Sequence, residues 1–295
     1  MVDGFLLVDK PTGWTSHDAV AAVRRLAGMK KVGHAGTLDP MATGLLVIGL
    51  GTATRLLRFV TDSEKTYRAV ALFGVATDTL DADGAILERS EMSFTEQEVA
   101  DVARRFVGVG TQVPPMVSAL KVGGRRLHAL ARQGLEVERA PRRIEISSLE
   151  VEEVTPGVYP EVTFTVTCGS GTYVRVLADD MARALGGRAH LTALRRLAIG
   201  PHRVEDALAI PALEDLAAAG KLLDAVLSPA AGLSEIRLLR LDEGSARAAG
   251  HGSTFTSVAI GADEPGLYRL LDPEGALLAV YRSDGRKAVP EVVLS

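Results

Sequence analysis

One cysteine in 295 residues, Cys168, leaves no disulfide within the chain and no multi-cysteine zinc site. Aromatic residues make up 4% of the chain, with Trp14 its single tryptophan, too few for an extended base-stacking platform. No apolar run approaches the roughly 20 residues of a membrane helix, and Phe5–Val8 is too short for a secretory signal core. The expected compartment is therefore the cytoplasm. Low-complexity segments are absent too, and 47% hydrophobic with 24% charged residues is the composition of a folded globular chain. Basic residues are in slight deficit, 33 against 37 acids for a net charge of -4, which argues against a surface coated in positive charge. None of the six histidines pairs with another at helical ligand spacing, and there is no HExxH. Gly169-Ser170-Gly171 lacks the flanks of a nucleophile elbow.

What charge there is comes in blocks. Seven basic residues lie between Lys121 and Glu145 (Lys121, Arg125, Arg126, Arg132, Arg139, Arg142, Arg143), and five arginines with no acid lie between Arg183 and Arg203. Acids gather in Asp78 to Asp101 and after Glu205. Such blocks are solvated faces in many proteins, but they also permit a local surface for a polyanion. The densest set of turn signals is Gly33 to Gly44, GHAGTLDPMATG, around the single carboxylate of Asp39. Gly33, Gly36 and Gly44 free the backbone, Pro40 fixes it just after the acid, and the apolar run Leu45–Leu50 reads as a buried strand holding the loop.

The remaining pattern is mixed α and β. Phe5–Val8 reads as a strand, and Ser16 as the cap of a helix through Ala27 that Gly28 ends. Gly49 and Gly51 hint at a dinucleotide fingerprint, but Thr54 replaces the third glycine and the following helix is short. Asp78–Gly84 fails as a calcium loop, because Thr79 and Ser90 fall where acidic ligands belong. Thr95 and Glu98 form a capping box, with Phe94 and Val99 as a hydrophobic staple. Ile144–Val154 and Val162–Cys168 read as paired strands, followed by a glycine turn and an amphipathic helix with Arg175 at its start. Ser228, Pro229 and Gly232 suggest a linker to a small β-rich module.

Several stretches, in order, resemble the motifs of the bacterial tRNA pseudouridine synthase B family. They are LxVDKPxGxTSHD at the amino terminus, GHxGxLDPxATGxL around Asp39, KxY at Lys65–Tyr67, and PPxYSALKxxGxxLYxxAR, with Val117 and His128 standing where tyrosine is usual. GTYVRxLAxD around Arg175 and LTALRR at Leu191–Arg196 complete the set, which covers about residues 3 to 205. The resemblance implies an α+β catalytic domain on a mixed, largely antiparallel sheet flanked by helices, at residues 1–232. It also implies an RNA-contacting insertion at about 112–140 and a small β-rich PUA-like domain at 233–295.

By the same resemblance the reaction is isomerisation of uridine to pseudouridine at position 55 in the T arm of tRNA. A non-catalytic RNA-binding or RNA-folding protein with the same surface is the alternative. The reaction moves the ribose bond from N1 to C5 of uracil without change of oxidation state, so no cofactor and no metal is expected. It needs an ionised carboxylate as nucleophile or base, a role the resemblance gives to Asp39, with Arg175 as its cationic partner and Tyr67 against the base. Lys10, Pro11, His34, Gly36, Tyr173 and Leu194 are implied at the substrate, His34 helping to extrude the base from its stack. Lys121, Arg125, Arg126, Arg132, Arg195 and Arg196 are the expected RNA-backbone contacts. The expected partner is tRNA, with no membrane and no obligate protein partner.

Overall fold

The computed structural model describes residues 2–118, 121–122, 125–126, 135 and 137–294. Its strands in chain order are β1 (Gly4–Lys10), β2 (Val32–Ala35), β3 (Thr43–Leu50), β4 (Lys65–Phe73), β5 (Val75–Thr77), β6 (Ile86–Arg89) and β7 (Gly108–Gln112). There follow β8 (Lys121–Val122), β9 (Arg125–Arg126), β10 (Arg142–Thr155), β11 (Glu161–Cys168), β12 (Ala189–Ile199), β13 (His202–Arg203) and β14 (Leu208–Ala209). The last are β15 (Arg237–Arg240), β16 (Phe255–Thr256), β17 (Gly266–Leu271), β18 (Leu277–Ser283) and β19 (Lys287–Val293). The helices are α1 (Ser16–Leu26), α2 (Leu57–Asp62), α3 (Glu96–Phe106), α4 (Val174–Ala184), α5 (Ile210–Ala218), α6 (Glu243–Gly250) and α7 (Ser257–Ile260). No helix among the described residues is long and apolar enough to cross a membrane.

The chain divides into two compact units: Met1–Leu38, Leu45–Asp62 and Ile199–Ser295 in the first, Asp39–Gly44 and Ser63–Ala198 in the second. In the first unit β1 pairs in parallel with β14, and β2 pairs antiparallel with β3. β3 is buried along nearly its whole length, which explains its unbroken apolar sequence: a strand covered on both faces has no reason to alternate. Leu46, Ile48 and Leu50 of β3 pack with Leu6 and Val8 of β1, Val20 and Val23 of α1, and Ile210 and Leu213 of α5. Gly33 sits within β2 rather than in the turn, so the positive backbone angles of this stretch fall on Gly36 and Gly44 alone.

The cap of α1 differs from the sequence expectation. Thr15, not Ser16, is the capping residue: its hydroxyl accepts from the Asp18 amide while the Asp18 carboxylate accepts from the Thr15 amide. Thr15 wins because an acid stands three residues after it, which completes the reciprocal pair. Ser16 is thereby released to bond the backbone of Leu38, accepting from its amide at 2.8 Å and donating to its carbonyl at 3.3 Å.

The carboxy-terminal part of the first unit is β-rich, as expected, with a five-stranded sheet in the order β15-β17-β18-β19-β16. It also carries α6, which the sequence reading missed, begun by the side chain of Asp242 accepting from the Ser245 amide. Tyr268, Leu270, Ala279 and Tyr281 form its core with Ala246, Ala249 and Ile260.

In the second unit the order is β12-β4-β11-β10-β7, with β4, β11, β10 and β7 antiparallel to their neighbours. β12 also runs parallel to the first two residues of β3. The inner face buries Ala69, Ala71 and Phe73 of β4 and Val162, Phe164 and Val166 of β11, with Val99, Val102 and Ala103 of α3 and Leu177 and Met181 of α4 also buried. Thr66, Arg68, Thr165 and Thr167 alternate with these residues, the pattern of a sheet with one covered face. Thr95 and Glu98 cap α3 as the sequence predicts.

Asp179 ties α4 to the start of β12. Its carboxylate accepts from Arg183 at 2.8 Å, from Arg188 at 2.7 Å and from the Ala189 amide at 3.2 Å. The neighbouring Asp180 is pushed up to about 6, first by burial and then by the charge of Asp179. A carboxyl raised in the folded state favours folding below its unfolded value and loses that contribution as pH rises through the folded one. Asp180→Asn is therefore expected to raise the melting temperature at pH 7, with the gain shrinking to nothing as pH falls below about 4. Melting curves across that range check it.

Candidate active site

Asp39 ends the bend that follows β2, one residue before Pro40 and four before β3 begins. Its carboxylate is about a third exposed, 37%, and meets the Arg175 guanidinium at 3.0 Å through Nε. Arg175 itself is 3% exposed. Such a charge is tolerable inside a protein only where most of its donors are matched, and here they are. Nη1 donates to the Thr79 carbonyl at 2.6 Å and faces Asp81 Oδ2 at 3.1 Å, while Nη2 donates to the Val117 carbonyl at 2.9 Å. Four acceptors from three chain segments fix the plane of the guanidinium, and its Nε edge is what Asp39 receives. The Val117 contact runs through the backbone, so it is indifferent to valine standing where the family carries tyrosine.

Asp81 is the residue that sequence reasoning missed. In the sequence the TDTLDADG stretch reads only as an acidic turn that fails as a calcium loop. In the structure Asp81 is buried, its Oδ1 accepting from Thr79 Oγ1 at 2.5 Å and from the Asp83 amide at 3.2 Å, while Oδ2 faces Arg175. The Leu191 amide donates to the Leu80 carbonyl at 3.1 Å, which anchors this turn on β12. One buried arginine is thus held by a buried aspartate behind it and presents its remaining edge to a more exposed one. That arrangement orients Asp39.

Gln112 was also missed. Tyr173 precedes α4 and has no side-chain cap of its own; instead its amide donates to Gln112 Oε1 at 2.8 Å, and its carbonyl accepts from Gln112 Nε2 at 3.2 Å. A buried glutamine from β7 thereby matches both backbone groups two residues before Arg175.

Tyr67 lies on the inner face of β4, opposite Val166 of β11, and is half-buried. Burial is the main influence raising its phenol above the ordinary value, and the charge of Asp39 adds to it; Arg196, which hydrogen-bonds the phenol, acts the other way. Arg196 was expected at the RNA backbone. The structure corrects that placement: its side chain is 1% exposed, turned into the second unit beside Tyr67 rather than out to solvent. The physical reason is register, since residues 194, 196 and 198 of β12 share its buried face. Leu194 lies on that same buried face. Arg195 points the other way and is half-exposed, donating to Thr43 Oγ1 at 3.4 Å.

The second unit therefore brings together Asp39, Tyr67 and Arg175, with Asp81 and Arg196 added to them. Lys10, Pro11, His34 and Gly36 belong to the first unit. Lys10 is wholly buried and donates to the Pro11 carbonyl at 2.9 Å and the Trp14 carbonyl at 2.6 Å, bracing the turn before α1. The His34 ring packs edge-on against His17 with centroids 5.5 Å apart. Lys121, Arg125 and Arg126 lie on the paired strands β8 and β9, and Arg132 lies outside the described residues. Cys168 is buried and its thiol is pushed up to about 11, so it stays protonated at neutral pH and is no nucleophile.

A chain of the crystal structure of a Cbf5-Nop10-Gar1 complex superposes with a TM-score of 0.78 at 24% identity, over 99% of this chain and 85% of that one. A chain of the H/ACA RNP bound to a substrate RNA containing 2'-deoxyuridine gives 0.75 at 22% identity, over 99% and 85%. At these identities the likeness defines the fold, that of a pseudouridine synthase. Sequence carries the assignment further. The model of the TruB family pseudouridylate synthase N-terminal domain matches residues 24–174, and that of the tRNA pseudouridylate synthase B C-terminal domain matches residues 175–233. Relatives named tRNA pseudouridine synthase B are 50% identical in Geotalea uraniireducens (strain Rf4), over 80% of this chain and 76% of that protein, and 42% identical in Thermobifida fusca (strain YX), over 100% and 99%. The chain belongs to the TruB family of pseudouridylate synthases.

Proposed function

We propose that this protein converts uridine to pseudouridine at position 55 in the T arm of tRNA, with Asp39 as the reacting carboxylate. The observation that carries the reading is the Asp39–Arg175 pair at 3.0 Å, with Arg175 locked from behind by Asp81. A carboxylate so held keeps one orientation and remains partly open to a substrate. Those are the requirements of a group that must attack the nucleoside or take a proton from it, and then let the product go. Tyr67 stacks on the extruded base and takes up the proton from C5, and Leu194 closes the uracil pocket from β12. His34 and Pro11 bear on the flipped nucleotide and its neighbours. Unstacking the base costs a few kcal/mol, which interactions along the RNA offset. The relatives' name, tRNA pseudouridine synthase B, supports tRNA as the RNA concerned.

Incubation of the purified protein with an unmodified T-arm stem-loop, followed by chemical labelling that separates pseudouridine from uridine, tests the reading. Product at position 55 alone is expected. Tight binding without product would leave an RNA-binding protein instead.

The RNA backbone is assigned to Lys121, Arg125, Arg126, Arg132 and Arg195, and residues 233–295 form a further RNA-contacting domain. Every phosphate that the protein no longer neutralises should lower the slope of log affinity against log salt by close to one. Replacing Arg125 and Arg126 together by alanine is expected to weaken RNA binding and flatten that slope by about two. An unchanged slope in a filter-binding titration would remove both residues from the interface.

A further inference from the structure

Arg196 heads the fully buried side chains of the described residues by size. A guanidinium is held in such a place only against a specific partner. β12, which carries it, runs between the start of β3 and β4. Arg196 pairs in parallel register with Gly44, whose backbone angle φ is +101°, and a Cβ there would run into the Arg196 backbone. The two strands therefore close tightly at the residue that follows Thr43, and only glycine permits it. The Gly74 amide donates to the Arg188 carbonyl at 2.7 Å and Thr192 Oγ1 to the Val70 carbonyl at 3.3 Å, so β12 runs antiparallel along β4 and Arg196 comes level with Thr66 and Tyr67. There its guanidinium acts on the Tyr67 phenol through its charge and a hydrogen bond, holding the phenol's pKa down against burial.

We propose that Arg196 is a positioning residue for Tyr67, donating to its oxygen so that the oxygen is aimed and able to carry negative charge when the C5 proton of the base is removed. This role rests on Tyr67 acting on that proton, as proposed for it above. Once C5 is joined to ribose C1', the C5–H bond breaks and its proton passes to the Tyr67 oxygen, whose own proton has gone to water. The electron pair of that bond forms the C5–C6 double bond, the C6–N1 π pair moves onto N1, and N1 takes up a proton from water. Burial and the charge of Asp39 both oppose an anionic oxygen at Tyr67, and Arg196 is the first influence in its favour.

The test is a double-mutant cycle between Arg196→Met and Tyr67→Phe, read as the single-turnover rate of tritium release from T-arm RNA labelled at uridine C5. Arg196→Met is expected to slow release about 10- to 100-fold, a share of the roughly 10²- to 10⁴-fold that a positioned proton acceptor supplies. The RNA concentration giving half the maximal rate should stay within about threefold, because a group acting after binding does not set it. The rising limb of the pH–rate profile should move to higher pH, and Arg196→Lys should recover part of the rate. In the Tyr67→Phe background the same change should matter less than about twofold, since its partner oxygen is gone.

An equal fractional loss in both backgrounds would overturn the proposal and leave Arg196 a structural residue. A retained rate with weaker, less salt-sensitive binding would return it to the RNA backbone. Tyr67→Phe releasing tritium as fast as the parent would instead sink the reading of Tyr67 itself, a result distinct from either. Where Arg196→Met melts well below the parent, Arg196→Lys is carried through the same cycle, and the same outcomes decide.

Discussion

Asp39→Asn is expected to abolish turnover, by at least about four orders of magnitude, while leaving affinity for T-arm RNA within a few fold. Asparagine keeps the shape of the side chain and removes its charge, so the group that must attack or accept a proton is lost while the pocket remains. Folding should hardly notice. Asp39 is more than a third exposed, and a pair so open to water contributes about 1 kcal/mol or less. Arg175 in this variant still has Asp81 and the carbonyls of Thr79 and Val117. Paired measurements of single-turnover rate and RNA affinity decide the matter. Product formed at a rate near the parent's would remove Asp39 from the chemistry.

Arg175→Met should behave in the opposite way, losing stability together with activity. Asp81 is 7% exposed in its side chain and faces Arg175 at 3.1 Å. Methionine would leave that carboxylate buried with Thr79 Oγ1 and the Asp83 amide as its donors, and would strip the Thr79 and Val117 carbonyls of the guanidinium. Breaking a buried ion pair from one side costs about 3–5 kcal/mol, several times the expected effect at Asp39. Urea unfolding should show it as a lower midpoint with little change in slope. Asp81→Asn should lie between the two, because the amide oxygen can still accept from Arg175 while the charge is gone. A midpoint for Arg175→Met equal to that of the parent would mean that the arginine does not hold the Asp81 turn.

The contrast between these variants also shows how far the sequence could be read. The unbroken apolar run of β3, the Thr95–Glu98 box of α3 and the paired strands β10 and β11 follow local rules of burial and backbone matching, and each stands where those rules put it. The cap of α1 went wrong by one residue because Thr15 and Ser16 are both capable caps, and only the reach of Asp18 back to Thr15 separates them. At the site, the Asp39 loop and the Arg175 helix stand out as motifs. Asp81 does not, since an acid in an acidic turn looks like a solvated turn until an arginine far along the chain is seen to close on it. Gln112 carries no local signal either, because what it matches is the backbone of Tyr173 on another element.

Arg196 marks the division most sharply. Composition and motif order by themselves determined an α+β chain of this family, with a carboxylate in a glycine-framed loop and an arginine leading a helix, because turns, strand runs and helix faces are written in neighbouring residues. Two adjacent arginines, Arg195 and Arg196, look alike in that code. Tertiary structure alone decided that one stays half-exposed while its neighbour is buried against Tyr67: alternate strand residues face opposite ways, and which face is covered depends on what the rest of the chain packs there.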